Sequence, residues 1–110
     1  MQFSSTKKLY QAMAKGSVSG ITVPAFNIRT LTFDIMKALL RAAKKEKVAT
    51  FIMEIAQSEI VYTRQSLQEF SENCVKAIKA EKYKGPIFLQ ADHFKCLDNS
   101  LFLLPSSLLL

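Results

Sequence analysis

The chain has 110 residues and a formal net charge of +6, which leaves room for one domain and excludes a multidomain enzyme. With 49% hydrophobic and 22% charged residues it is too apolar for a disordered tail and too charged for a membrane protein, so a soluble α/β chain is expected. Fifteen Lys and Arg against nine Asp and Glu suit an anionic partner such as a phosphate or a nucleic acid without proving either.

Cys74 and Cys96 form neither a disulfide framework nor a Cys-x-x-Cys pair, and a reducing, cytoplasmic setting is the default expectation. The opening Met-Gln-Phe-Ser-Ser-Thr-Lys-Lys lacks the apolar core of a secretory signal. The leucine-rich stretch 101–110 is broken by Pro105, Ser106 and Ser107 and falls short of the roughly twenty apolar residues of a spanning helix, so no membrane partner is expected.

Ser4, Ser5 and Thr6 offer caps to a leading helix in which Leu9, Ala12 and Met13 form an apolar stripe ending near Gly16. Residues 21–28 mix β-branched and aromatic types at strand length, with Pro24 disfavouring a fully paired central position. Thr32 can cap an amphipathic helix whose Ile35, Met36, Leu39, Leu40 and Ala43 oppose Lys37, Arg41, Lys44 and Lys45. Residues 48–56 then form a nearly continuous apolar run, the pattern of a strand buried on both faces. A second amphipathic helix follows Tyr62 and Thr63, with Ser66 and Glu69 at capping-box spacing and Leu67, Phe70, Cys74 and Ile78 as its stripe. Gly85-Pro86 ends the connection, and 86–93 reads as a third strand with its ionisable residues at the far end.

This alternation builds a parallel sheet with right-handed crossovers. No Gly-x-Gly-x-x-Gly and no Walker-type loop occurs, which takes weight from nucleotide-binding open sheets. A (β/α)8 barrel needs about 250 residues, so three strands supply only part of one.

Asp92-His93, closing the third strand, is the sharpest candidate for chemistry, because parallel sheets place ligands beyond the carboxyl ends of their strands. Neighbours on a straight strand point to opposite faces, so the two can share a site only where the strand bends into its loop. The alternative is a surface Asp beside a surface His. Asn27 ends the first strand and reads equally well as a substrate contact or a turn residue. Glu54, Gln57, Ser58 and Glu59 lie near the end of the second strand, with Glu59 read as a solvated loop residue. Cys96 makes His-x-x-Cys with His93, but no second such pair completes a metal site. The run Lys44-Lys45-Glu46-Lys47 reads as a solvated helix end. Aromatic residues interleaved with arginines are missing, so no nucleic-acid partner is expected.

Val-Pro-Ala-Phe-Asn-Ile at 23–28, Val-Ala-Thr-Phe-Ile-Met-Glu-Ile-Ala-Gln-Ser-Glu-Ile at 48–60 and Phe-Leu-Gln-Ala-Asp-His at 88–93 together resemble the start of class II fructose- and tagatose-bisphosphate aldolases. The likeness runs from about residue 5 to His93 in order and spacing. It implies the first three βα units, residues 1–93, of a TIM (β/α)8 barrel. It also implies zinc-dependent aldol cleavage of a phosphorylated sugar, a ketose bisphosphate, in carbohydrate metabolism. By position, Asp92 matches the family's catalytic acid/base, His93 its first zinc-ligating histidine and Asn27 a substrate-contacting asparagine. Several members carry a serine where this chain has Ala56, so no role passes to that position. Residues 94–110 resemble nothing in the family, and its other zinc ligands and phosphate loops come from later strands. The chain is therefore expected to be a truncated, inactive piece of an aldolase. The alternative is a non-catalytic interaction protein, self-associating through an open sheet edge, and the most distant reading is a basic nucleic-acid-binding module.

Overall fold

The computed structural model describes residues 5–95. Cys96 and all but the first two residues of the 94–110 tail lie outside the described residues. The elements run α1 (Thr6–Ala14), β1 (Ala25–Asn27), α2 (Thr32–Lys45), β2 (Phe51–Ala56), α3 (Gln57–Thr63), α4 (Leu67–Glu81) and β3 (Ile87–Asp92). The three strands form one parallel sheet in the order β1-β2-β3. Strand order follows chain order without reversal, so these strands contain no topological switch point, an arrangement consistent with part of a TIM barrel.

Alternation along the strands sorts the core into two clusters. Phe51, Met53 and Ile55 of β2 and Ile87 and Leu89 of β3 pack with Met36, Leu40 and Ala43 of α2 and with Phe70, Cys74, Ala77 and Ile78 of α4. On the other face, Ile52 and Phe88 meet Leu9 of α1 and Val23. Thus α1 covers the start of that face and leaves the carboxyl ends of the strands to polar side chains. Burial among hydrocarbon pushes the Cys74 thiol up to about 12, so this cysteine is a packing residue. Arg41 of α2 bonds Glu81 of α4, Nη2 to Oε1 at 2.8 Å, and Lys44 Nζ donates to the Glu81 carbonyl at 2.7 Å. These contacts tie the helix ends together, and two of the lysine run's three cations, Lys45 and Lys47, are exposed with no ion pair among the described residues.

Every expected strand is present but shorter, for identifiable reasons. β1 is confined to 25–27. Pro24 has no N–H, yet its carbonyl accepts from Ile52 N–H at 2.9 Å, and Ile28 N–H donates to the Glu54 carbonyl at 3.1 Å. Residues 47–48 belong to the end of α2: Lys47 is left-handed at φ 53°, and Val48 N–H reaches back to the Ala43 carbonyl at 2.9 Å. This is a Schellman closure, which delays β2 to Phe51. His93 leaves β3 at φ 53°.

The caps divide. Ser66 caps α4, its hydroxyl accepting from Glu69 N–H at 3.0 Å. Ser66→Ala is expected to cost about 0.5–2 kcal/mol in urea unfolding, whereas Ser66→Gly should cost only a few tenths. Thr32, in contrast, is not the cap of α2. That position falls to Leu31, left-handed at φ 46° and making no side-chain cap bond. The buried Thr32 hydroxyl instead exchanges hydrogen bonds with the Gln65 amide at 3.0 and 2.8 Å.

Candidate functional site

The sheet register aligns Asn27 with Glu54, Glu54 with Gln90, and Ala56 with Asp92. Registered residues in a parallel sheet share a face, so one polar surface forms beyond the Leu9, Ile52 and Phe88 cluster. Asp92 and His93 contact one another, because the left-handed backbone at His93 turns the imidazole back onto its neighbour. Nδ1 of His93 lies 2.7 Å from Oδ1 of Asp92. Asn27 Nδ2 is 3.2 Å from Asp92 Oδ2. Ala56, the neighbour of Asp92 on the intervening strand, carries only a methyl and leaves that reach open. The three candidates from β1 and β3 are therefore brought together.

Glu59 corrects the reading of a solvated loop residue. It sits in the first turn of α3, a helix the sequence pattern had hidden, and is 5% exposed. One carboxylate serves three partners: Oε2 accepts from Ala56 N–H at 2.8 Å and lies 3.4 Å from Asn27 Nδ2, while Oε1 pairs with Arg29 Nε at 3.0 Å. Ser58 is exposed, and Gln57 Oε1 accepts from Lys95 N–H at 3.0 Å.

A second polar chain lies one layer deeper. Tyr10 of α1 donates to Gln90 Oε1 at 2.8 Å, and Gln90 Nε2 donates to Glu54 Oε2 at 3.0 Å. Burial and then the charge of Asp92 push the Glu54 carboxyl above its ordinary range, against the opposing effect of the Gln90 bond. Tyr10, Gln90 and Arg29 were missed as site residues. Gln90 shares the parity of Asp92 on its strand, a signal that was present, whereas nothing local in α1 points Tyr10 at β3.

The Asp92 and His93 pair is mutually stabilised in its charged form. The bond from His93, then that from Asn27, outweigh burial and hold the Asp92 carboxyl below its ordinary 3.8, and Asp92 lifts the imidazole above its ordinary 6.5. Linkage fixes the sign. The His93 contribution is complete below 6.5 and lost as pH rises through the raised value, while that of Asp92 is complete above 3.8 and lost as pH falls through the lowered one. Titration followed by nuclear magnetic resonance is expected to place His93 above 6.5 in the metal-free chain, and Asp92→Asn should bring it back down. An imidazole that titrates identically in both proteins would contradict the pairing.

The same bond holds a proton on Nδ1, so that once the imidazole is neutral Nε2 carries the lone pair, the usual way a carboxylate orients a ligating histidine. Among the described residues, however, no three His, Cys, Asp or Glu are grouped to hold a metal ion. The residues described do not make a zinc centre by themselves.

These features define an α/β unit whose strand ends carry a hydrogen-bonded acid, imidazole and amide. Among known families, the model for class II fructose-bisphosphate aldolase matches residues 5–103, and the chain belongs to that family. A comparison with curated proteins finds no match. Among the described residues no helix is long and apolar enough to cross a membrane.

Proposed function

We propose that this chain contributes the first part of a ketose-bisphosphate aldolase barrel, with Asp92 as its proton-transfer group, Asn27 as a substrate contact and His93 as one zinc ligand. The observation that supports it most directly is the convergence of Asn27 and Asp92 from different strands at the carboxyl end of the sheet, 3.2 Å apart, in a member of this family. The lowered Asp92 carboxyl is in its basic form at neutral pH. In the cleavage direction it takes the proton of the hydroxyl on the carbon that becomes the aldehyde. The electrons of the breaking carbon–carbon bond pass to the adjoining carbonyl as an enediolate, and in the reverse direction Asp92 returns the proton. Asn27 orients the substrate against Asp92. The chemistry that zinc supplies in the family is stabilisation of that enediolate charge.

The three strands among the described residues cannot close a barrel, and among those residues His93 has no grouped partners with which to hold zinc. The purified chain is therefore expected to show no cleavage of fructose or tagatose bisphosphate and no stoichiometric zinc by calorimetry at micromolar protein. Zinc-dependent turnover that Asp92→Ala abolishes would show instead that several copies assemble a complete site.

The outer edge of the sheet favours a second reading, a non-catalytic module that associates through its strands. All three residues of β1 are exposed, Phe26 at 41%, and an unpaired edge is a template for another strand. Light scattering across a concentration series distinguishes a monomer from such an assembly.

A further inference from the structure

The amide of Asn27 lies between two carboxylates, and that decides its orientation. Its Nδ2 faces Asp92 Oδ2 at 3.2 Å and Glu59 Oε2 at 3.4 Å. An ionised carboxylate only accepts hydrogen bonds, while an amide nitrogen carries two protons and the amide oxygen none. Turning the amide over would set its oxygen against both carboxylates and lose both bonds. Oδ1 is thus left on the exposed side of Asn27 with no partner among the described residues.

Asp92 could hold one amide proton by itself, and the second depends on Glu59. That side chain is built in. It is 6% exposed, paired with Arg29 at 3.0 Å and fixed by the Ala56 N–H at 2.8 Å, so it is not free to swing away. Its bond to Asn27 is long, but its place is set by these other partners rather than by Asn27.

We infer that Glu59 is a positioning residue which, with Asp92, locks the Asn27 amide so that it offers a ligand its carbonyl oxygen, an acceptor for a hydroxyl group of a polyol substrate. The polyol rests on the aldolase reading, whereas the lock does not. An Asn presenting N–H would suit a phosphate or carbonyl oxygen. This one suits an alcohol O–H.

The test is side-chain amide spectroscopy on the 15N-labelled full chain, with the Asn27 NH2 pair assigned through its loss in Asn27→Ser. Both protons are expected to show Overhauser contacts, one to the Glu59 methylene and one to the Asp92 methylene. They should exchange with solvent about tenfold more slowly than those of the exposed Gln11. Glu59→Ala should release the Glu59-facing proton to the Gln11 rate, and Glu59→Gln, which keeps one acceptor oxygen, should restore part of the protection. Should Glu59→Ala fail to fold, the wild-type contacts and Glu59→Gln decide alone. Wild-type protons that exchange as fast as those of Gln11, or protection unchanged in folded Glu59→Ala, overturn the assignment. Because none of these measurements involves turnover, a failed cleavage assay removes the aldolase reading and leaves the lock to be judged separately.

Discussion

Grafted in place of the first three βα units of an active class II aldolase, residues 1–93 are expected to support turnover, and Asp92→Ala in that chimera to lower kcat by about 10^2–10^4-fold, the reach of general acid–base catalysis. The expectation follows from what the carboxylate does in the chain itself. It is aligned by two neighbours, Asn27 at 3.2 Å and His93 at 2.7 Å, and they hold it ionised. Removing it takes away the proton acceptor and leaves Asn27 bonded to Glu59 alone. Asp92 is not proposed as a ligand but orients His93, so Asp92→Ala should still bind zinc at about 10–100-fold lower affinity, whereas His93→Ala should lose both metal and activity. Metal content by mass spectrometry beside steady-state kinetics separates the two variants. Turnover within about threefold of the parent chimera after Asp92→Ala would remove it as the proton-transfer group, since that is below even the lower bound for such a role.

The main alternation of helices and strands was legible because apolar spacing and strand-length runs are local properties. The long periodic helix α2 and the buried strand β2 carried the clearest signals. What stayed hidden was α3. Gln57–Thr63 follows β2 without a loop, Ala56 has no oxygen to announce a cap, and Ile60 and Val61 suit a strand as well as a helix. Missing that helix is what made Glu59 read as a solvated loop residue, because a carboxylate on a loop is ordinarily solvated and only the helical turn folds this one under Arg29 and Asn27. Thr32 failed for a different reason. Its hydroxyl found a partner in Gln65, 33 residues away, and tertiary contact overrode a local capping preference. Asp92, His93 and Asn27 were legible singly as strand-end candidates, and the family's motif joined them into a group. Locally each has an ordinary surface reading, and their convergence depends on strand register and on the left-handed turn at His93, neither of which a linear pattern displays.

The greatest loss of stability is expected at Phe70. This residue of α4 is 1% exposed and lies in the cluster that joins α2 and α4 to the helix-facing side of β2 and β3. Among the described residues the sheet has three strands, and the seam between helices and sheet is the larger of the two core clusters. Phe70→Ala removes a ring from a site walled by buried neighbours and leaves a cavity there. Substitutions of this kind cost about 3–5 kcal/mol, a large fraction of what a small domain has to lose. The expected result in urea is a midpoint moved far toward zero denaturant with the slope unchanged, or a chain already unfolded at 25 °C. Phe26→Ala provides the contrast. Its ring meets Phe51 edge-on with centroids 6.4 Å apart, but it stands on the open edge of the sheet, 41% exposed, and solvent can occupy the space left behind. Its cost should be clearly smaller. Equal losses for the two variants would mean that the helix-facing seam does not dominate the core, and that the β1 edge is covered in solution by another strand or a second copy.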